Sequence, residues 1–181
     1  MYRAVAYAYA MRKPADMDAF LAGLVLEFSF DKATSVSLDG RDITREIRTD
    51  EVSMLASSLS QDVRVRAYCT WMQRRIGEAG GIVAEGRDTG SVVFPGAQVK
   101  FYLDADLAER ARRRHLESSG GGAAPGVERV KEEMERRDRA DSERDIAPLV
   151  RPEGAIFVDT TGKSVGEVVA MLEARVREAL K

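Results

Sequence analysis

Cysteine and histidine are almost absent from this sequence, and their scarcity excludes several kinds of chemistry. The 181 residues include one cysteine, Cys69, and one histidine, His115. A lone cysteine cannot form a disulfide within the chain, and these two side chains are too few for a zinc centre built from Cys and His ligands. Catalysis by a Ser-His-Asp or Cys-His arrangement would depend on His115 alone.

A large net charge and a long apolar segment are also missing. Lys and Arg number 28 against 30 Asp and Glu, a net charge of −2, so the chain has no large cationic field for duplex nucleic acid or an anionic membrane. It has no run of about 18 apolar residues, and its first residues do not resemble a signal peptide. We therefore expect one globular domain, residues 1–181, in the cytoplasm, with no nucleic-acid or membrane partner.

The N-terminal sequence predicts two helices. Residues 2–11 are rich in alanine and aromatic residues and contain no glycine or proline, which favours a helix. No Ser, Thr, Asp or Asn precedes this helix as a cap. Asp16 is placed to cap a second helix over residues 17–25, where apolar residues recur at helical spacing.

The spacing of apolar residues along the sequence then changes twice before residue 78. Residues 26–49 alternate apolar and polar side chains around the dipeptide Asp39-Gly40, which is typical of a hairpin in a small antiparallel sheet. Residues 50–77 return to helical periodicity. A break near residues 61–62 predicts two helices in this segment.

Three short apolar runs in the second half predict strands. They cover residues 82–85, 99–103 and 155–159, and the last two precede the helical patterns 107–116 and 165–180. Strands that alternate with helices predict an α/β fold with a parallel sheet. In such a fold, ligands bind beyond the carboxyl ends of the strands.

Arg87 and Asp88 lie at the predicted end of the first of these strands. The flanking Gly86 and Gly90 allow a tight turn and a close approach of a ligand to the backbone. One interpretation is a structural ion pair that holds the loop. The other is contact with a phosphate or a nucleotide.

The segment 110–151 is dense in arginine and predicts a mobile flap. Residues 118–126 are rich in Gly and Ala and connect two charged helices. Arg137, Asp141 and Arg144 are spaced i, i+4 and i+7, so they share one face of a helix. This face is either a solvated surface with salt bridges or a site that closes over a phosphorylated sugar.

Four arginines of the helix before the glycine-rich segment admit two interpretations. They are Arg110, Arg112, Arg113 and Arg114. A polyanion- or RNA-binding module would use them, but the acidic balance of the chain and the lack of interleaved aromatic residues oppose it. A solvated helix face or contact with a small polyphosphate is favoured.

Residues 82–114, IVAEGRDTGSVVFPGAQVKFYLDADLAERARRR, resemble the signature of the bacterial cytidylate kinases. The corresponding family segment has the form (I/V)xxGRDxGTVVFPxAxxKxFLxAxxxERAxRR, and Ser91 replaces its usual threonine. Further matches, in the same order and spacing, are Tyr2-Arg3, IRTDEVSMLAS (47–57), Arg64-Val65-Arg66, ERRDRADSERDIAPL (135–149) and Asp159-Thr160-Thr161. The resemblance spans essentially the whole chain.

The resemblance implies a nucleoside-monophosphate-kinase-like fold of the P-loop class, with a parallel sheet and helices on both of its faces. Residues 27–49 would form the inserted antiparallel subdomain that binds the monophosphate, and residues 110–151 the mobile lid. The implied reaction transfers a phosphoryl group from ATP to CMP or dCMP with Mg²⁺. A monomer is implied for the complete enzyme.

The resemblance also implies roles for individual residues. Residues matching Arg66 and Asp88 lie at the cytosine, and those matching Ser57, Arg137 and Asp141 lie at the sugar. The catalytic arginines Arg3, Arg87 and Arg144 hold the phosphate, and Tyr2 belongs to the substrate-binding set. Arg110 and Arg114 are candidates for contacts on the ATP side.

One departure from the family concerns ATP. The 181 residues contain no GxxxxGK[ST] phosphate-binding loop. We therefore expect that the chain lacks the first strand and the P-loop of the family. We also expect it to be unstable alone, because the loss of that strand would leave unpaired strand edges in the middle of the sheet. An alternative function is a catalytically incompetent protein that keeps the CMP site.

Overall fold

The computed structural model describes residues 1–30, 34–118, 126–143 and 146–180. The chain divides into two compact units, Met1–Ile82 and Val83–Lys181. A small sheet lies in each unit, antiparallel in the first and parallel in the second. None of the described helices combines the length and the apolar character needed to span a bilayer.

The first unit begins with the two predicted helices. Helix α1 (Tyr2–Arg12) has no side-chain cap, as expected. Its residues Ala4, Val5, Ala6 and Ala8 are fully buried. Helix α2 (Met17–Ala22) begins at Asp16, whose carboxylate accepts a hydrogen bond from the Ala19 amide at 2.8 Å. The predicted cap is therefore confirmed, although the helix ends before residue 25.

The predicted hairpin is also present. Strands β1 (Leu26–Ser29), β2 (Ser35–Leu38) and β3 (Arg41–Asp42) pair antiparallel in sequence order. The turn between β2 and β3 has positive φ at Asp39 (51°) and Gly40 (78°), the geometry that suits a two-residue hairpin loop. The assignment of residues 27–49 to a monophosphate-binding subdomain remains a prediction.

Two helices follow, with a break between them as predicted. Helix α3 (Asp50–Leu59) is capped by Thr49, and helix α4 (Val63–Gly77) is capped by Asp62. Each cap side chain accepts a hydrogen bond from a backbone amide of the first turn, which satisfies a group that has no partner inside the helix.

The second unit contains two parallel strands, each followed by a helix. Strand β4 (Phe101–Asp104) pairs along its length with β5 (Ile156–Asp159). Helix α5 (Leu107–Ser118) follows β4, and helix α7 (Val165–Ala179) follows β5. This order of elements confirms the α/β class and the parallel pairing of the second and third predicted strands.

Thr160 joins the carboxyl ends of the two strands. Its amide and its hydroxyl both donate to the Asp104 carbonyl, at 2.8 and 3.0 Å. Arg113 of α5 donates in turn to the Thr160 carbonyl at 2.6 Å and to the Lys163 carbonyl at 3.3 Å. Arg113 thereby fixes the middle of α5 to the strand ends, where ligands bind in folds of this class.

The predicted strand over residues 82–85 is wrong. These residues form no regular strand, and Val83 is fully exposed. Gly80 and Gly81, with φ of 71° and 64°, turn the chain immediately before them. A strand is defined by hydrogen bonds to a neighbour, and no neighbouring strand is present beside this apolar run in the described part of the chain.

The two charged helices predicted on either side of the glycine-rich segment are present. Helix α6 (Val127–Glu143) packs against α5. Residues 119–125 of the connection lie outside the described residues. The mobility of segment 110–151 remains a prediction.

Candidate functional site

Arg87 lies between two carboxylates of helix α6. Its Nε is 3.4 Å from Oδ2 of Asp141, and its Nη1 is 3.3 Å from Oδ1 of Asp138. The Arg87 side chain is 43% exposed. The structure thus brings together a predicted ligand-edge arginine and a predicted carboxylate of the flap.

Arg110 of α5 contacts the same Asp138. Its Nη1 donates to Oδ2 of Asp138 in a close ion pair, and its Nε donates to the Ala105 carbonyl at 3.0 Å. The two oxygens of Asp138 therefore accept from two different guanidinium groups. We call Arg87, Arg110, Asp138 and Asp141 the arginine–aspartate cluster.

The cluster alternates two cations with two anions and lies at the surface of the second unit. The Arg87–Asp138 pair is exposed, whereas the Arg110–Asp138 pair is part-buried and Oδ2 of Asp141 is buried. An exposed ion pair contributes little to stability, typically below about 1 kcal/mol, so the Arg87–Asp138 pair can exchange partners at small cost. Because the planar donor fork of arginine matches phosphate oxygens, the cluster is chemically suited to bind an anionic ligand.

Asp88 begins a tightly turned segment next to Arg87. Its carbonyl accepts hydrogen bonds from the amides of Val92 and Val93, which belong to a single π-helical turn over Thr89–Val93. A Cβ at Gly86 would lie only 2.3 Å from the Thr89 hydroxyl, so a larger residue there would force the Thr89 side chain to turn away. The Asp88 side chain is buried.

The other predicted site residues of the flap, Arg137, Arg114 and Arg144, are not part of the arginine–aspartate cluster. Arg137 is exposed on α6 and lies outside the ion pairs of the cluster. Arg114 lies 3.7 Å from Glu117, one turn along α5. Arg144 falls outside the described residues.

In the first unit, Arg66 and Tyr2 are brought together. Arg66 is only 5% exposed, and its guanidinium lies over the Tyr2 ring at 5.8 Å from the centroid. Its Nη1 donates to the Ser60 carbonyl at 3.1 Å. Burial, the ring and the carbonyl together fix the orientation of this guanidinium.

Arg3 and Ser57 are more accessible. The Arg3 guanidinium reaches the Ile47 carbonyl at 3.5 Å, a long contact that leaves the side chain exposed. Ser57 is exposed on α3, and its carbonyl accepts from the Ser60 hydroxyl at 2.7 Å.

Glu109 is the most strongly perturbed carboxylate of the second unit. Hydrogen bonds from Arg112 and Arg113 lower the pKa of Glu109 to about 2. The nearest nitrogens are 3.0 and 2.8 Å from its oxygens. Glu109 therefore stays ionised and orients Arg113 toward the strand ends.

The sequence does not indicate the individual contacts of two residues of this region, Asp138 and Arg113. Asp138 follows Arg137 in a run of alternating charges, where it resembles an ordinary surface residue. Arg113 is one of four arginines in α5. The i, i+3 spacing of Asp138 and Asp141 was the available indication of a second acidic partner on one face of α6.

No group of three His, Cys, Asp or Glu side chains in the described part of the chain is arranged to hold a metal ion.

Comparison with known proteins identifies the family. The family model for cytidylate kinase matches residues 1–178. A protein named cytidylate kinase from Geobacter sp. (strain M21) is 42% identical over 99% of this chain and 80% of its own length. Those of Geobacter sulfurreducens and Enterococcus faecalis are 42% and 38% identical, each over 98% of this chain and about 80% of their own length. This chain therefore belongs to the cytidylate kinase family.

Proposed function

We propose that this chain transfers a phosphoryl group from ATP to CMP or dCMP, which gives ADP and CDP or dCDP in pyrimidine nucleotide metabolism. The match of residues 1–178 to the cytidylate kinase family carries the proposal. The arginine–aspartate cluster supports it, because it supplies paired guanidinium groups of the kind that bind phosphate.

The cytosine is assigned to Arg66 and Asp88. A carboxylate accepts from the exocyclic amine of cytosine, and a guanidinium donates to the ring acceptors. Uracil presents a carbonyl in place of the amine, so it would leave buried polar groups unpaired. The burial of both side chains supports this assignment, since desolvated polar groups discriminate most strongly.

The sugar and the phosphate are assigned to the more exposed residues. Ser57, Arg137 and Asp141 would contact sugar hydroxyls. Arg3, Arg87 and Arg144 would hold the phosphate, and Tyr2 would orient Arg66 within the substrate site. Charge develops on the transferred phosphoryl group, so cations placed around it lower the barrier without forming a covalent intermediate.

On the ATP side, Arg110 and Arg114 are assigned to phosphate contacts. The family implies ATP and Mg²⁺. Because Mg²⁺ in phosphoryl transfer is bound mainly by the substrate phosphates and water, we assign it no protein ligand and derive no step through it. We further propose a cytoplasmic enzyme with no nucleic-acid or membrane partner, which is monomeric when complete.

A second candidate is a CMP-binding protein that transfers no phosphoryl group. The match of residues 1–178 to the cytidylate kinase family does not favour it. Both candidates predict CMP binding, and they differ in whether CDP forms.

Product formation separates the two candidates. The purified chain is incubated with ATP, Mg²⁺ and CMP, dCMP or UMP, and the products are separated by anion-exchange chromatography. CDP formation that is lost in Arg87→Met supports the kinase. Binding of CMP without CDP supports the second candidate, and failure to bind CMP contradicts both.

A further inference from the structure

Asp138 is the shared partner of two arginines on different segments of the second unit. Its Oδ1 lies 3.3 Å from Arg87, in the loop before the π-helical turn, and its Oδ2 pairs with Arg110 of α5. Among the described residues, Asp141 is the only other carboxylate that pairs with either arginine. One carboxylate therefore contacts both guanidinium groups.

A phosphate placed between these arginines would make the same bonds. Carboxylate and phosphate both offer anionic oxygens, and arginine donates to either with the same fork. We propose that Asp138 is an internal competitor of phosphate, which occupies the two guanidinium groups in the free protein and is displaced when a nucleotide phosphate binds. This inference rests on the proposed function, which assigns phosphate contacts to Arg87 and Arg110.

The charges of the cluster favour displacement of Asp138 by a phosphate over simultaneous binding of both to the two arginines. With Asp138 and Asp141 both in place, the cluster carries two positive and two negative charges and has no net attraction for an anion. When Asp138 turns away, the two guanidinium groups face a phosphate with one carboxylate fewer to repel it. Phosphate binding and departure of Asp138 are then linked.

The surroundings of Asp138 permit this movement. Its side chain is 24% exposed, so it can turn into water without burying an unpaired charge. An open depression of about 270 Å³ borders Asp138 and Arg110. Arg139 lines the same depression and offers a cation to the displaced carboxylate.

The test is to remove the charge of Asp138 and measure phosphate affinity. Asp138→Asn keeps the size of the side chain, and Glu132→Gln removes one exposed charge from the same helix as a matched control. Affinities of inorganic phosphate, CMP and cytidine are measured by calorimetry for both variants and for the unmodified chain. Circular dichroism and thermal unfolding in the absence and presence of phosphate show whether each variant is folded.

We expect Asp138→Asn to bind both CMP and phosphate about threefold to tenfold more tightly, the range for releasing one exposed and one part-buried ion pair. Cytidine affinity should not change, and Glu132→Gln should match the unmodified chain. Phosphate should raise the melting temperature of Asp138→Asn by more than it raises that of the unmodified chain.

An unchanged or weaker phosphate affinity in folded Asp138→Asn would overturn the inference, because Asp138 would then be neutral or would preorganise the arginines. If Asp138→Asn fails to fold, Asp138→Ala is measured with the same criterion. Tighter phosphate binding without any preference for CMP over inorganic phosphate would support the inference and contradict the proposed function.

Discussion

At the scale of single residues, Asp88 offers the most direct test of base recognition. Its buried carboxylate is assigned to the exocyclic amine of cytosine. In Asp88→Asn, one carboxylate oxygen is replaced by the NH₂ of an amide. This group is a hydrogen-bond donor and would face the exocyclic amine of cytosine, which is also a donor. We expect CMP affinity to fall by about tenfold to a hundredfold, as for a lost hydrogen bond to a charged group.

The same variant should lose its preference for CMP over UMP. Calorimetric titration of both nucleotides into Asp88→Asn and the control Glu132→Gln measures this preference. CMP affinity that is unchanged in a folded Asp88→Asn protein would refute the cytosine assignment.

Glu109 gives a residue-level prediction about pH. Folding lowers its pKa from 4.5 to about 2, mainly through hydrogen bonds from Arg112 and then Arg113. The folded state therefore binds this proton less readily than the unfolded state. The stabilisation is complete above pH 4.5 and is lost as the pH falls toward about 2.

Glu109→Gln should accordingly destabilise the chain most at neutral pH. Urea unfolding of both proteins at pH 7 and near pH 3 measures the difference, which should shrink in acid. A difference of the same size at both pH values would contradict the role given to this carboxylate.

At the scale of elements, Arg113 connects helix α5 to the ends of the strands. Its guanidinium donates to the carbonyls of Thr160 and Lys163 and to the Thr160 hydroxyl. Lysine keeps the charge, but its single nitrogen cannot span the acceptors that Arg113 contacts through both Nη1 and Nη2. Arg113→Lys should lower the free energy of unfolding by about 1–3 kcal/mol.

Hydrogen exchange gives a local readout of the same change. Amides of α5 should exchange faster in Arg113→Lys than in Arg112→Lys, because among the described residues the Arg112 side chain pairs with Glu109 of its own helix. Equal protection of α5 in the two variants would show that Arg113 does not anchor the helix.

The elements that could be predicted from the sequence are those specified locally. Asp16 and Asp62 cap their helices, and Asp39-Gly40 adopts the turn that its residue types favour. The run at residues 82–85 has the composition of a strand but no partner strand in the described residues. Composition alone cannot show whether that partner is present.

The candidate site was predictable in part for a similar reason. The meeting of Arg87 with Asp141 follows from a ligand edge and a charged flap, both of which the sequence indicates. Asp138 could not be separated from its charged neighbours on α6. Its role depends on Arg87 and Arg110 meeting in space, and no local pattern specifies that meeting.

At the scale of the whole molecule, the second unit exposes apolar side chains. Its exposed large apolar residues include Val83, Leu103, Phe157 and Val165. Helix α7 has no buried residue although it is amphipathic in sequence. Exposed apolar surface of this kind promotes association.

We therefore expect the 181-residue chain to bind a hydrophobic dye such as ANS and to associate as its concentration rises. Size-exclusion chromatography with light scattering over a range of concentrations measures the association. A monomeric elution profile together with a sharp cooperative thermal transition would contradict this expectation.

The central claim, recognition of a cytidine monophosphate, is tested most directly by comparing CMP with UMP at equilibrium. Both nucleotides are titrated calorimetrically into the purified chain under identical conditions. The account predicts that CMP binds at least about tenfold more tightly than UMP, because uracil leaves the polar groups of Arg66 and Asp88 unpaired. Equal affinity for the two nucleotides, or no binding of CMP, would contradict it.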